Sequence, residues 1–129
     1  MNEKENKKTI LVLEDESSLV DMISSKLKLE GFDVVVSATV DGGLKDMEEK
    51  KIDFIWLDHY LIGSKDGVEF TTVVKKNDKW KNIPIFVVSN TASMDKIKAY
   101  KELGVTRYYV KSDHRIDDII GDIKNILLK

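Results

Sequence analysis

Apolar residues in this chain fall into two rhythms, short unbroken runs and longer stripes that repeat every three or four positions. The runs are Thr9-Ile10-Leu11-Val12-Leu13, Ile52-Asp53-Phe54-Ile55-Trp56-Leu57, Ile83-Pro84-Ile85-Phe86-Val87-Val88 and Tyr108-Tyr109-Val110. Near-continuous runs of this length predict strands buried on both faces, as in a parallel sheet covered by helices. Phe32–Ala38 is short and β-branched and predicts a further strand, and Val105–Lys111 frames the last one. Between them, Leu19, Val20, Met22, Ile23, Leu27 and Leu29 recur at helical spacing, from a Ser17 N-cap to a stop at Gly31. A brief helix is expected over Asp41–Lys50, weakened by Gly42-Gly43. Another opens at Asp66-Gly67 and runs through Val68, Phe70, Val73 and Val74 to Trp80. Met94–Leu103, closed by Gly104, is the fourth helix, and the stripe Ile116, Ile119, Ile120, Ile123, Ile126, Leu127 is the fifth.

Strands alternating with helices in this way predict a doubly wound α/β fold on a five-stranded parallel sheet. Neither an internal repeat nor an interdomain linker interrupts the pattern. One domain is expected over residues 9–129, after a flexible polar lead-in at residues 1–8. The fifth helix closes the sequence, so a stand-alone domain is expected.

Each central run stops on a polar group. Leu13 runs into Glu14-Asp15-Glu16, Leu57 into Asp58, Val88 into Ser89-Asn90 and Val110 into Lys111. Parallel strands present their C-terminal ends on one edge, where open α/β sheets place ligands. Carboxylates, a hydroxyl and an ammonium are therefore expected to converge there. Crowded carboxylates repel unless positive charge lies between them. A hard cation such as Mg²⁺ meets that need, since it takes oxygen ligands and commonly joins one or two carboxylates to a phosphate oxygen. Lys111 adds a compact second positive charge, and Ser89 a hydrogen-bond donor. Asp58 ends the central strand and is the expected nucleophile; its attack on phosphorus would form an aspartyl phosphate.

Composition narrows the alternatives. A net charge of −2 predicts no sequence-independent nucleic-acid binding, and the absence of cysteine excludes disulfides and thiolate metal sites. No apolar stretch approaches the roughly 18 residues that span a bilayer. Met1–Lys8 has no apolar core of a secretion signal, so a cytoplasmic location is expected. A Walker loop is absent, Glu14-Asp15-Glu16 would repel a flavin phosphate, and Leu13-Glu14-Asp15-Glu16 lacks the Asp-x-Asp of haloacid-dehalogenase-type phosphatases.

Glu14-Asp15, Asp58, Ser89 and Lys111 stand in order at the ends of strands one, three, four and five. On these motifs the chain, from Ile10 to Leu128, resembles a response-regulator receiver domain of two-component signalling. The resemblance implies a flavodoxin-like sheet of strand order 2-1-3-4-5. It implies a Mg²⁺ site of Asp15 directly, Glu14 through water, Asp58, and the backbone carbonyl of Tyr60. Asp58 would accept phosphate from a phosphohistidine on a histidine kinase or histidine phosphotransfer protein. Ser89 would then move toward the phosphoryl oxygens and Tyr108 would turn inward, remodelling the face that meets a downstream protein target. Such a domain is a phosphoacceptor rather than an ordinary enzyme, works as a monomer or weak dimer, and contacts neither nucleic acid nor membrane directly.

The chain departs from that pattern in places. Ser112 follows the lysine where the family carries proline, Asn90 stands where it carries a small residue, and Asp58 is followed by His59-Tyr60 in a loop one residue longer than usual. The bulky Tyr60 is expected to slow donor or water access. His59 is expected to be a solvated loop residue, and Lys75, Lys76, Lys79 and Lys81 a solvated patch. These departures keep open a second reading, a phosphorylation-independent pseudo-receiver interaction module, distinguished by failure to bind Mg²⁺ or form the acyl phosphate.

Overall fold

The apolar runs form strands β1 (Thr9–Leu13), β2 (Asp33–Ser37), β3 (Phe54–Leu57), β4 (Ile85–Ser89) and β5 (Arg107–Val110) in the computed structural model, which describes residues 7–128. All pair in parallel, in the order β2-β1-β3-β4-β5. Five helices connect and follow them: α1 (Ser17–Leu29), α2 (Val40–Glu49), α3 (Gly67–Lys76), α4 (Met94–Leu103) and α5 (Ile116–Leu127). The flavodoxin-like arrangement expected from the sequence is the one observed.

Strand residues alternate between the two faces of a sheet. Ile10, Val12, Phe54, Trp56, Phe86 and Val88 pack with Ile23 and Leu27 of α1 and Ile119, Ile120 and Ile123 of α5. Leu11, Leu13, Ile55, Leu57, Ile85 and Val87 pack on the other face with Val40 and Met47 of α2, Phe70 and Val74 of α3 and Tyr100 of α4. Both faces are covered, which is why the central strands read as unbroken apolar runs. Register then aligns the strand ends. Leu13 pairs with Leu57, Leu57 with Val87, and Val87 with Tyr108. The residues that follow these positions emerge together on one edge.

Several local expectations are corrected. Ser17 is the first residue of α1, and Glu16 occupies the N-cap without a side-chain cap. Helix α3 stops at Lys76 rather than Trp80. Asn77 turns extended, its side chain accepts the Lys79 N–H, and its carbonyl accepts those of Trp80 and Lys81. Local bonding of an Asn to nearby backbone competes with helix continuation in this way. Lys111 opens a short 3-10 turn, Lys111–Asp113, instead of ending β5. In α2 the glycines do more than weaken the helix. A Cβ on Gly43 would crowd Leu13 and Phe70, so the bare backbone lets α2 close on the sheet, and Thr39 caps the helix at Gly42 N.

Of the lead-in expected over residues 1–8, residues 1–6 lie outside the described residues. The Lys8 carbonyl already accepts the Asp33 N–H at 3.0 Å. Among the described residues no helix is long and apolar enough to cross a membrane.

Candidate functional site

Glu14 leaves β1 as its N–H donates to the Ser37 carbonyl, and Asp58 leaves β3 as its N–H donates to the Leu13 carbonyl. These strand-end bonds bring two carboxylates into the edge, both buried. Glu14 is held at both oxygens. Oε2 accepts the N–H groups of Asp15 at 3.0 Å and Glu16 at 3.3 Å, and Oε1 accepts the Lys111 ammonium at 2.7 Å. Lys111 also donates to Asp58 Oδ2 at 3.3 Å. Asp58 Oδ1 is buried and has no hydrogen-bond partner.

Burial pushes the Glu14 carboxyl above the usual carboxylate range, opposed by the Lys111 hydrogen bond and reinforced by the charge of Asp58. Burial pulls Lys111 down, but its bond to Glu14 and the two carboxylate charges outweigh this and leave it above the ordinary lysine value. The ammonium is therefore charged.

Asp15 is exposed and completes the group: one oxygen from each of Glu14, Asp15 and Asp58 lies within 4.8 Å of the others. One ammonium facing three carboxylates leaves the cluster negative, and a buried carboxylate oxygen without a partner is costly. An orphaned oxygen inside an all-oxygen donor set suits a hard divalent cation.

Ser89 and Tyr108 lie beside this cluster rather than in it. Ser89 is fully buried at the end of β4, and its hydroxyl accepts the Thr91 N–H at 3.4 Å. The half-buried Tyr108 donates its hydroxyl to the Thr91 carbonyl at 2.7 Å. The two are thus joined through Thr91, and among the described residues neither hydrogen-bonds Asp58. Tyr60 is 55% exposed, and its ring meets the His59 ring edge-on, with centroids 4.8 Å apart. Asn90 and Ser112 are exposed, and the Lys111–Ser112 peptide is trans.

His59 corrects the expectation of a solvated side chain. It is buried, its Nδ1 lies 2.7 Å from the Tyr100 hydroxyl, and burial pushes its pKa below the usual histidine range, against the pull of Asp66. Thr91 and Tyr100 had no part in the site read from the sequence. Tyr100 shares the i, i+3 spacing of Ile97 and Leu103 and reads there only as a core residue.

A model of the response regulator receiver domain matches residues 10–123. A putative NtrX-like response regulator of Rickettsia typhi is 31% identical over 103 residues, 79% of this chain and 21% of that protein. The alkaline phosphatase synthesis regulatory protein PhoP of Bacillus subtilis is 31% identical over 104 residues, 81% of this chain and 42% of that protein. The chain therefore spans less than half the length of these relatives. Among solved structures, a CheY-like receiver domain protein of Methanospirillum hungatei superposes with a TM-score of 0.85 at 24% identity, over 94% of each chain. The receiver domain of the sensor histidine kinase PA1611 of Pseudomonas aeruginosa, solved with a magnesium ion in its active-site cleft, gives 0.82 at 19% identity over 95% of this chain and 99% of that one. With the family match spanning most of the chain and its acidic cluster and lysine at the expected strand ends, the chain belongs to the response regulator receiver domains.

Proposed function

We propose that residues 9–129 form a phosphoacceptor unit of a two-component or phosphorelay system, in which Asp58 takes a phosphoryl group from a phosphohistidine protein in a Mg²⁺-dependent reaction. One observation carries this reading: Asp58 is bonded to Lys111 through Oδ2 while its buried Oδ1 has no partner. One carboxylate oxygen of Asp58 attacks phosphorus while the other is left to the cation. As the new oxygen–phosphorus bond forms, the phosphorus–nitrogen bond breaks, and its electron pair returns to the imidazole ring, which leaves neutral after taking a proton from solvent. Glu14, Asp15, Asp58 and the Tyr60 carbonyl would hold Mg²⁺, which when bound neutralises charge on the phosphoryl oxygens. The magnesium in the similar PA1611 domain supports that assignment.

Lys111 already spans Glu14 and Asp58, so its ammonium can pass a hydrogen bond to a phosphoryl oxygen with little reorganisation. The Ser89 hydroxyl gives up the Thr91 N–H to donate to the same group. Because Tyr108 is bonded to that same Thr91, the change reaches β5 and α4, the face offered to a downstream protein. The donor is a histidine kinase or histidine phosphotransfer protein.

Intact mass after incubation with Mg²⁺ and acetyl phosphate tests the reading, with Asp58→Asn and EDTA as controls. A phosphoryl adduct lost in both controls is expected. No adduct together with no Mg²⁺ binding would replace the reading with a phosphorylation-independent interaction module.

A further inference from the structure

His59, the residue after Asp58, is 2% exposed, and Tyr100 of α4 is fully buried. Nδ1 of His59 and the Tyr100 hydroxyl are 2.7 Å apart. The other ring nitrogen, Nε2, faces Asp66 Oδ2 at 3.9 Å. A neutral imidazole offers one N–H and one acceptor nitrogen. The Asp66 carboxylate favours the tautomer with the proton on Nε2, in which Nδ1 accepts from the Tyr100 O–H. Asp66 is itself fixed, because its Oδ1 accepts the Glu69 N–H at 3.0 Å and caps α3. The loop after Asp58 and the middle of α4 are thus tied through one histidine ring, which also faces the first turn of α3.

Gly67 makes room for this tie. A Cβ there would overlap the Tyr100 hydroxyl and press on the Asp58 carbonyl at 3.1 Å and His59 Cα at 3.2 Å. Its φ is not positive, so the requirement is for space rather than for backbone freedom. Beyond Tyr100 the contact continues to Tyr108, with ring centroids 5.7 Å apart. Tyr108 in turn holds Thr91, the residue bonded to Ser89. A second route therefore leads from the acceptor to Tyr108, through His59 and Tyr100 instead of Ser89 and Thr91.

We propose that the His59–Tyr100 hydrogen bond is a positioning contact that makes α4 follow the state of Asp58. Breaking it leaves phosphoryl acceptance in place and uncouples α4 from it. The inference rests on the phosphoacceptor reading. Its physical basis is that a buried hydrogen bond is expensive to leave unmade, so a shift of the 58–60 backbone is followed by Tyr100 rather than absorbed by the loop. Neither residue touches the reacting atoms.

The test compares native chain, Tyr100→Phe, His59→Leu and His59→Asn, the last keeping an acceptor near the Nδ1 position. Acetyl phosphate adducts are read by intact mass. The backbone amide shifts of α4 are read by NMR with and without Mg²⁺ and beryllofluoride, a phosphoryl mimic. Adduct formation in Tyr100→Phe and His59→Leu is expected to stay within about twofold of native. The α4 response in both is expected to fall to about a third of native or less, with His59→Asn restoring it. A full-sized α4 response in both, even with lowered melting temperatures, would leave the contact purely structural and overturn the proposal. Adduct formation lost in parallel with the response would overturn it too, since the contact would then serve the acceptor itself. An adduct missing in the native chain removes the phosphoacceptor reading, and that result is visible before any variant is compared.

Discussion

Lys111 lies closer to Glu14, at 2.7 Å, than to Asp58, at 3.3 Å. Glu14 is almost wholly buried and Asp58 nearly so, which makes Lys111 the shared counter-ion of two carboxylates. Removing it leaves two buried carboxylates facing each other without that counter-ion. Lys111→Met is expected to destabilise the chain by about 3–5 kcal/mol, the range for orphaning a buried charge. Urea unfolding in EDTA at neutral pH measures this. An unchanged midpoint would mean that Glu14 does not rely on Lys111 for its counter-charge.

Asp58→Asn acts in the opposite direction. It removes one carboxylate from the crowded edge and leaves Lys111 to Glu14 alone, so the variant is expected to melt at a higher temperature than native chain in EDTA. Mg²⁺ at about 100 times its Kd is expected to stabilise native chain by about 2.7 kcal/mol, and the variant by less. Equal magnesium stabilisation of both would place the ion somewhere other than beside Asp58.

Two helical glycines should respond oppositely to alanine. Gly43→Ala would press a methyl group onto Leu13 and Phe70 and is expected to cost about 1–3 kcal/mol. Gly121 in α5 has open space around the equivalent position, so Gly121→Ala is expected to stabilise by about 0.8–1.0 kcal/mol through helix propensity. Denaturant midpoints of the two variants, compared with native, decide the point. Changes of the same sign would contradict this account of α2 packing.

The phenols set an alkaline signature. Burial, helped by a 2.6 Å hydrogen bond to Asp122, pushes Tyr109 up to about 12. Tyr108 and Tyr100 are also raised, both chiefly by burial. A folded pKa above the unfolded one contributes stability that is complete below the unfolded value and is lost as pH climbs through the folded one. For Tyr109 that window runs from about 10 to about 12. A phenolate absorbance titration should therefore show a step near the upper limit that disappears in Tyr109→Phe. A step that survives the substitution belongs to another tyrosine and refutes the assignment.

The four polar strand ends were legible because unbroken apolar runs, and the polar residues that stop them, are local properties of the chain. Once the runs through Leu13, Leu57, Val88 and Val110 are parallel, Glu14, Asp58, Ser89 and Lys111 must leave the sheet on the same edge. The paired apolar faces were legible for the same reason, since the stripes of α1 and α5 repeat at helical spacing and have a buried sheet to cover. These features need only the residue types and their spacing.

Other features were settled by neighbours far along the chain. Nothing near His59 in sequence says that it is buried, because the hydroxyl it bonds comes from Tyr100, in α4. The preference of Lys111 for Glu14 depends on how the turn after β5 reaches across to β1, which is a matter of register between strands that are not neighbours. Gly43 looked like a weak point in a helix until Leu13 and Phe70 occupied the space beside it. Patterning is written in consecutive residues, whereas burial, counter-charge and close approach are made by pairs that only the folded chain brings together.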